Sequence, residues 1–109
     1  MNALERLGLE VAAFQLLGTR TKAASLCALL HASGVPISYE SIANARAWMG
    51  QSEAVDPGNV AKTRICLLRE SLEDVGLGGL IQTYRGFGYA LPEPGRATVL
   101  ERLMEVAGA

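Results

Sequence analysis

At 109 residues, half of them hydrophobic, the chain is most simply one domain with an apolar core that needs no staples. A formal net charge of −1 argues against a simple electrostatic binder of nucleic acid, and the apolar runs are far short of a membrane span. Two cysteines, Cys27 and Cys66, match no metal or redox spacing and are expected as buried, reduced thiols.

The N-terminal segment is periodic and carries Glu5 and Glu10, which argues against a signal peptide and for a cytoplasmic protein. Charge is unevenly spread. Residues 19–70 hold six cations, Arg20, Lys22, Arg46, Lys62, Arg64 and Arg69, against four anions, Glu40, Glu53, Asp56 and Glu70. The ends carry the excess acid, so the middle can form a small basic patch without a long-range field.

Taken in chain order, residues 3–17 read as a helix. Leu4, Leu7, Val11 and Phe14 recur at spacings of three and four, Leu9 and Leu16 lie off that stripe, and Gly18 is the stop. Thr19 or Thr21 caps a second helix whose apolar side is Ala23, Leu26, Cys27, Leu29 and Leu30, ending at Ser33-Gly34. His31, the single histidine, has no nucleophile or ligand cluster beside it and reads as structural. Val35 to Ser38 is an extended link. Ser38 caps a third helix from Tyr39 to about Trp48, with Ile42, Ala43 and Ala47 inward, and the two helices with their link are helix-turn-helix-like.

Met49 to Gly58 is rich in breakers and reads as a loop bordered by Trp48 and Met49. Trp48 fits either a buried anchor for that loop or an exposed protein-docking residue. Asn59 is expected to cap the next helix, 60–75, which places Ala61, Ile65, Leu68 and Leu72 on the core. Asn59, Thr63, Cys66 and Glu70 then point outward, with Lys62 and Arg69 on one flank and Arg64 on the other. Short side chains on a crest with cationic flanks suit a major groove, where flanks reach phosphates and the crest reaches base edges. An ordinary solvated face has the same look.

Ile81 to Leu91 has strand character on both sides of Gly86 and Gly88, giving a short β-hairpin with Arg85 near its tip. A hairpin with a cation at its tip, following amphipathic helices, suggests a wing for the minor groove. An unremarkable surface hairpin with an exposed arginine fits too. Pro92 to Gly95 ends it, and Thr98 is expected to cap a last helix with Val99, Leu100, Leu103, Met104 and Val106 apolar. So short a helix must pack on something, either the first helix or a second protomer.

With these elements placed, particular residues carry a resemblance. Ile81-Gln82-Thr83-Tyr84-Arg85-Gly86-Phe87-Gly88-Tyr89 resembles the closing "I-x-T-V-R-G-x-G-Y" signature of the OmpR/PhoB-type winged helix-turn-helix domain of response regulators. Ile65 to Glu73 is similar to that family's recognition-helix pattern, and Val35 to Ile42 to its link between helices. Trp48 falls near a tryptophan common in the family. The resemblance runs from about Leu17 to Leu91. It implies an α+β, mainly helical fold with a three-helix core and a C-terminal hairpin wing in 19–92; the helix in 1–18, expected as a dimerisation element, and the helix in 93–109 are additions to that pattern. The resemblance also implies that helix 60–75 is the recognition helix, that Arg85 enters the minor groove, that Arg64 and Arg69 meet backbone or bases, and that loop 49–58 corresponds to one that touches RNA polymerase in some relatives.

The chain also departs from that pattern. Leu67 and Glu70 stand where relatives usually carry basic residues, no receiver domain is encoded in these residues, and the first segment looks helical where the family has a small sheet. The first functional expectation is a stand-alone, homodimeric, sequence-specific regulator of transcription on double-stranded DNA, with Asn59, Lys62, Thr63, Arg64, Cys66, Arg69 and Arg85 as its contacts. The alternative is an adaptor on the same fold that docks on polymerase or another regulator through Trp48, Met49 and Leu67. No paired carboxylates, nucleophile–base set, metal cluster or phosphate loop appears, so neither catalysis nor a cofactor is expected.

Overall fold

The computed structural model describes residues 3–45 and 56–108, with side chains described from residue 8 onward. Trp48, Met49, Ala47, Arg46 and the first part of the expected loop lie outside the described residues, as do the side chains of Leu4 and Leu7. The fold is α+β and mostly helical, with helices α1 (Ala3–Leu17), α2 (Arg20–His31), α3 (Tyr39–Ala43), α4 (Pro57–Asp74) and α5 (Gly95–Gly108). Strands β1 (Ile37–Ser38), β2 (Gln82–Tyr84) and β3 (Gly88–Ala90) form one antiparallel sheet in the order β1-β3-β2.

Each boundary has a local cause. α1 stops at Gly18, whose positive φ of 87° suits a residue without a Cβ, and the Gly18 amide donates back to the Phe14 carbonyl at 2.8 Å. Thr19 then caps α2 by accepting from the Lys22 amide. Ser38 caps α3 by accepting from the Ser41 amide at 3.1 Å, and the two serine hydroxyls share a bond.

Two expected caps are corrected. Asp56, not Asn59, caps α4: its carboxylate accepts from the Asn59 amide and, at 2.8 Å, from the Asn59 side chain. Pro57 then sits at the first helical position, where it loses no needed donor, so the helix starts two residues before Asn59. Thr98 likewise lies inside α5, its hydroxyl donating to the Pro94 carbonyl, while Glu93 accepts from the Ala97 amide at 2.8 Å.

α4 buries Ala61, Ile65, Leu68 and Leu72, the face its spacing predicts, and α2 buries its expected apolar side. α1 departs from expectation. Ala12, Ala13 and Leu17 are buried, Leu9 and Leu16 pack on the core together with Phe14 of the expected stripe, and Val11 is exposed. Nearly every turn of α1 is apolar, so periodicity does not single out the buried stripe. Two alanines let neighbouring helices approach most closely there, and packing decides.

α1 packs on both α2 and α5. Leu103 and Val99 of α5 are fully buried in the chain's own core, so the terminal helices cover each other instead of leaving these two side chains for a second protomer. α3 ends at Ala43, with Asn44 as its C-cap, short of the expected Trp48. The extended link before it becomes β1, paired with β3 through Ile37↔Tyr89 and Ser38↔Gly88. Gly88 makes that pairing possible: a Cβ there would run into the Ile37 carbonyl and come within 2.9 Å of Ser38 Cα. No helix among the described residues is long and apolar enough to cross a membrane.

Candidate nucleic-acid interface

The outer face of α4 and the β2–β3 hairpin form one connected surface, because Arg69 ties them together. Its Nη2 donates to the Ile81 carbonyl and to the Thr83 hydroxyl, both at 2.9 Å, and the guanidinium lies over the Tyr89 ring, 5.5 Å from the centroid. The Tyr89 hydroxyl is held above its ordinary pKa, first by burial and then by Tyr39, with Arg69 opposing. Arg69 therefore braces the hairpin against α4. Its Nη2 is thereby committed to the fold, at a residue the sequence reading expects to contact phosphate or bases.

Arg64 is also tied into the fold. Its Nη1 donates to three main-chain carbonyls, those of Ala43 at 2.7 Å, Ile42 at 3.1 Å and Ala45 at 3.3 Å. These belong to the C-terminal end of α3, where carbonyls lack helical partners and the dipole favours a cation. Burial lowers the Arg64 pKa from its ordinary value.

Two further arginines do related work. Arg96 donates through Nε to the Leu30 carbonyl at the end of α2, at 2.9 Å. Arg102 donates through Nη1 to the Val75 carbonyl at the end of α4, at 2.6 Å. Neither α3 nor α4 carries a basic residue in its own last turn, so arginines from elsewhere in the chain complete both ends. Sequence spacing does not reveal this use, because each arginine reaches an element distant along the chain.

What remains facing outward is a smaller set. Asn59, Lys62, Thr63 and Cys66 are exposed along the first half of α4. Cys66 is exposed, as its place on the crest of α4 predicts and against the expectation of two buried thiols, while Cys27 is buried. Burial, then the charge of Glu10, pushes the Cys27 thiol up to about 12. The second half of α4 presents Leu67, 46% exposed, with Glu70, Glu73 and Asp74. The helix face is therefore polar and cationic toward its N-terminus and acidic toward its C-terminus.

Arg85 is exposed at the hairpin turn, and neither it nor Lys62 has a side-chain hydrogen bond or ion pair among the described residues. The turn itself is fixed. Gly86 takes a positive φ of 76°, and the Phe87 amide donates to the Tyr84 carbonyl at 3.0 Å. Tyr39, at the start of α3, clamps it twice: its amide donates to the Phe87 carbonyl at 2.9 Å, and its hydroxyl accepts from the Gly86 amide at 3.2 Å. The Tyr39 ring also meets Tyr89 edge-on, 5.8 Å between centroids. Sequence reasoning missed Tyr39, because nothing along the chain links it to a turn 47 residues away.

No group of three or more histidine, cysteine or acidic side chains among the described residues is placed to hold a metal. No family model matches the chain, and no curated protein or solved structure is detectably similar to it.

Proposed function

We propose that the protein binds double-stranded DNA sequence-specifically and regulates transcription, and does not act as a catalyst. In this reading α2, α3 and α4 are the helical core of a winged helix-turn-helix domain and β2–β3 is its wing. The observation that carries the reading is the element order: helix, short strand, helix, helix, then a hairpin whose returning strand pairs with the first strand. In this reading the outer face of α4 serves as a helix for the major groove and Arg85 as a cation for the minor groove.

Docking would use the first half of α4. Lys62 reaches phosphate, and Asn59, Thr63 and Cys66 lie toward base edges. In this reading the second half of α4, where Glu70, Glu73 and Asp74 are exposed, stays clear of phosphate. A second copy on an adjacent half-site would double the phosphate contacts.

Fluorescence anisotropy with mixed-sequence duplex across a salt series tests the proposal. With Lys62 on phosphate and Arg85 in the minor groove each displacing about one counterion, log K should fall against log salt with a slope of about −2 per protomer. Arg85→Ala should weaken binding and leave the melting temperature within about 2 °C, as expected for an exposed side chain. Absence of binding at low salt overturns the reading.

A second reading, a protein adaptor on the same fold, is favoured by Leu67. It is a half-exposed leucine on a half-helix that also exposes Glu70, Glu73 and Asp74, which suits a basic, partly apolar partner better than DNA.

A further inference from the structure

We propose that the hairpin turn is a rigid apolar wedge, with Phe87 as the side chain that enters between base steps of the duplex from the minor groove and bends it. This inference rests on the DNA-binding reading and adds a mode of engagement to it.

Phe87 is 49% exposed and Tyr84 39% exposed, on either side of Arg85. Two large rings beside a cation at a loop tip lose apolar free energy to water in the free protein. The backbone under them is fixed. Phe87 bonds through its amide to Tyr84 and through its carbonyl to Tyr39, and the neighbouring Gly86 amide is held by the Tyr39 hydroxyl. The rings are therefore presented on a turn already ordered, so little backbone entropy is lost when they are covered.

The electrostatics favour nucleic acid as the occupant. From Val75 to Pro92 the chain carries one charged residue, Arg85. Nothing acidic in that stretch would oppose the narrow, strongly negative minor groove, which attracts arginine. An apolar ring next to such an arginine is the arrangement by which minor-groove proteins unstack a step. The steps that yield most easily are pyrimidine–purine ones, so the preferred probe contains a central TA step.

The experiment uses the full chain and a 2-aminopurine-labelled duplex of about 30 base pairs with a central TA step, carrying donor and acceptor dyes at its ends. Anisotropy reads binding, 2-aminopurine fluorescence reads unstacking, and energy transfer reads bending. Wild type should bind, brighten the 2-aminopurine and shorten the end-to-end distance. Phe87→Ser should still bind, about tenfold more weakly from the lost burial of the exposed half of the ring, with neither optical change. Phe87→Leu, which keeps an apolar wedge, should retain part of both signals, and a thermal melt of each variant separates loss of contact from loss of fold.

Wild-type binding without unstacking or bending overturns the wedge and leaves the DNA reading standing. Equal bending by Phe87→Ser also overturns it. Absence of wild-type binding overturns the DNA reading and the wedge with it. In that case, wild-type self-association that Phe87→Ser abolishes would assign the rings to a protein contact.

Discussion

Replacing Arg64 by methionine separates a structural role from a DNA-contacting one. The guanidinium Nη1 serves the carbonyls of Ile42, Ala43 and Ala45 at 2.7 to 3.3 Å. These bonds share one nitrogen, so they do not add as three independent contacts. The 2.7 Å bond to Ala43 is the strong one, and charge-assisted bonds contribute about 1.5–3 kcal/mol each. Methionine keeps much of the apolar stem and removes the donor and the charge. The change should therefore destabilise the domain by about 2–3 kcal/mol, since the carbonyls ending α3 lose a charged partner and regain water only in part. In a chain of this size that lowers the melting midpoint by about 8–15 °C. Circular dichroism melts give the shift, and hydrogen exchange should place the loss first in α3. DNA affinity measured well below the new midpoint should change less than about threefold, because Arg64 contacts the chain and not the ligand. An unchanged midpoint with binding reduced tenfold or more would refute this assignment and return Arg64 to the DNA surface.

Three further outcomes follow from local geometry. Gly88→Ala places a Cβ against the Ile37 carbonyl and should lower stability by about 2–3 kcal/mol in chemical denaturation, whereas a neutral result would show that β1 and β3 do not pair as described. One thiol, Cys66, should react rapidly with an aromatic disulfide reagent in the native protein and the second, Cys27, only on unfolding; two rapid thiols would disprove the burial of Cys27. Cys27 is raised from 9.0 to about 12, so the folded state favours its neutral form. The corresponding stability is fully present below pH 9 and is lost as pH rises toward 12, about 2 kcal/mol of it by pH 10.5. Denaturation midpoints of wild type should fall more steeply from pH 8 to 10.5 than those of Cys27→Ala, and parallel slopes would count against it.

Local rules read the helices and the hairpin well. The four-residue core face of α4, the Ser38 cap and the strand–turn–strand around Gly86 all follow from spacing and turn chemistry within a few residues. Contacts across the chain were not legible. The 35–38 link looked merely extended, but it is a sheet strand, because its partner Gly88 lies 50 residues on from Ser38 and only glycine admits the approach. Of the α1 stripe, Phe14 packs on the core and Val11 does not, because apolar residues on several sides of the helix leave its direction weakly specified. Arg64 and Arg69 looked like groove-facing cations because helical phase puts them at the flanks of α4. Flank residues are also the ones that reach a neighbouring element.

That use of arginine bears on the proposed DNA-binding reading. Arg64, Arg69, Arg96 and Arg102 all donate to main-chain carbonyls, so a count of basic residues overstates the charge available to a ligand. Each removal costs a DNA complex about one released counterion and the affinity that goes with it. A surface of α4 and the hairpin left, among the described residues, with Lys62 and Arg85 facing outward would associate weakly with arbitrary duplex. Its discrimination would then rest on contacts that do not depend on net charge: the short polar crest of Asn59, Thr63 and Cys66, and the clamped rings beside Arg85. Arginines committed to bracing α3, α4 and the hairpin serve that mode, because they hold the crest and the turn in one fixed relation. The same commitment explains how a chain of net charge −1 can be read as a DNA-binding protein at all. Weak general affinity is compatible with selectivity when the reading surface is rigid and short of charge.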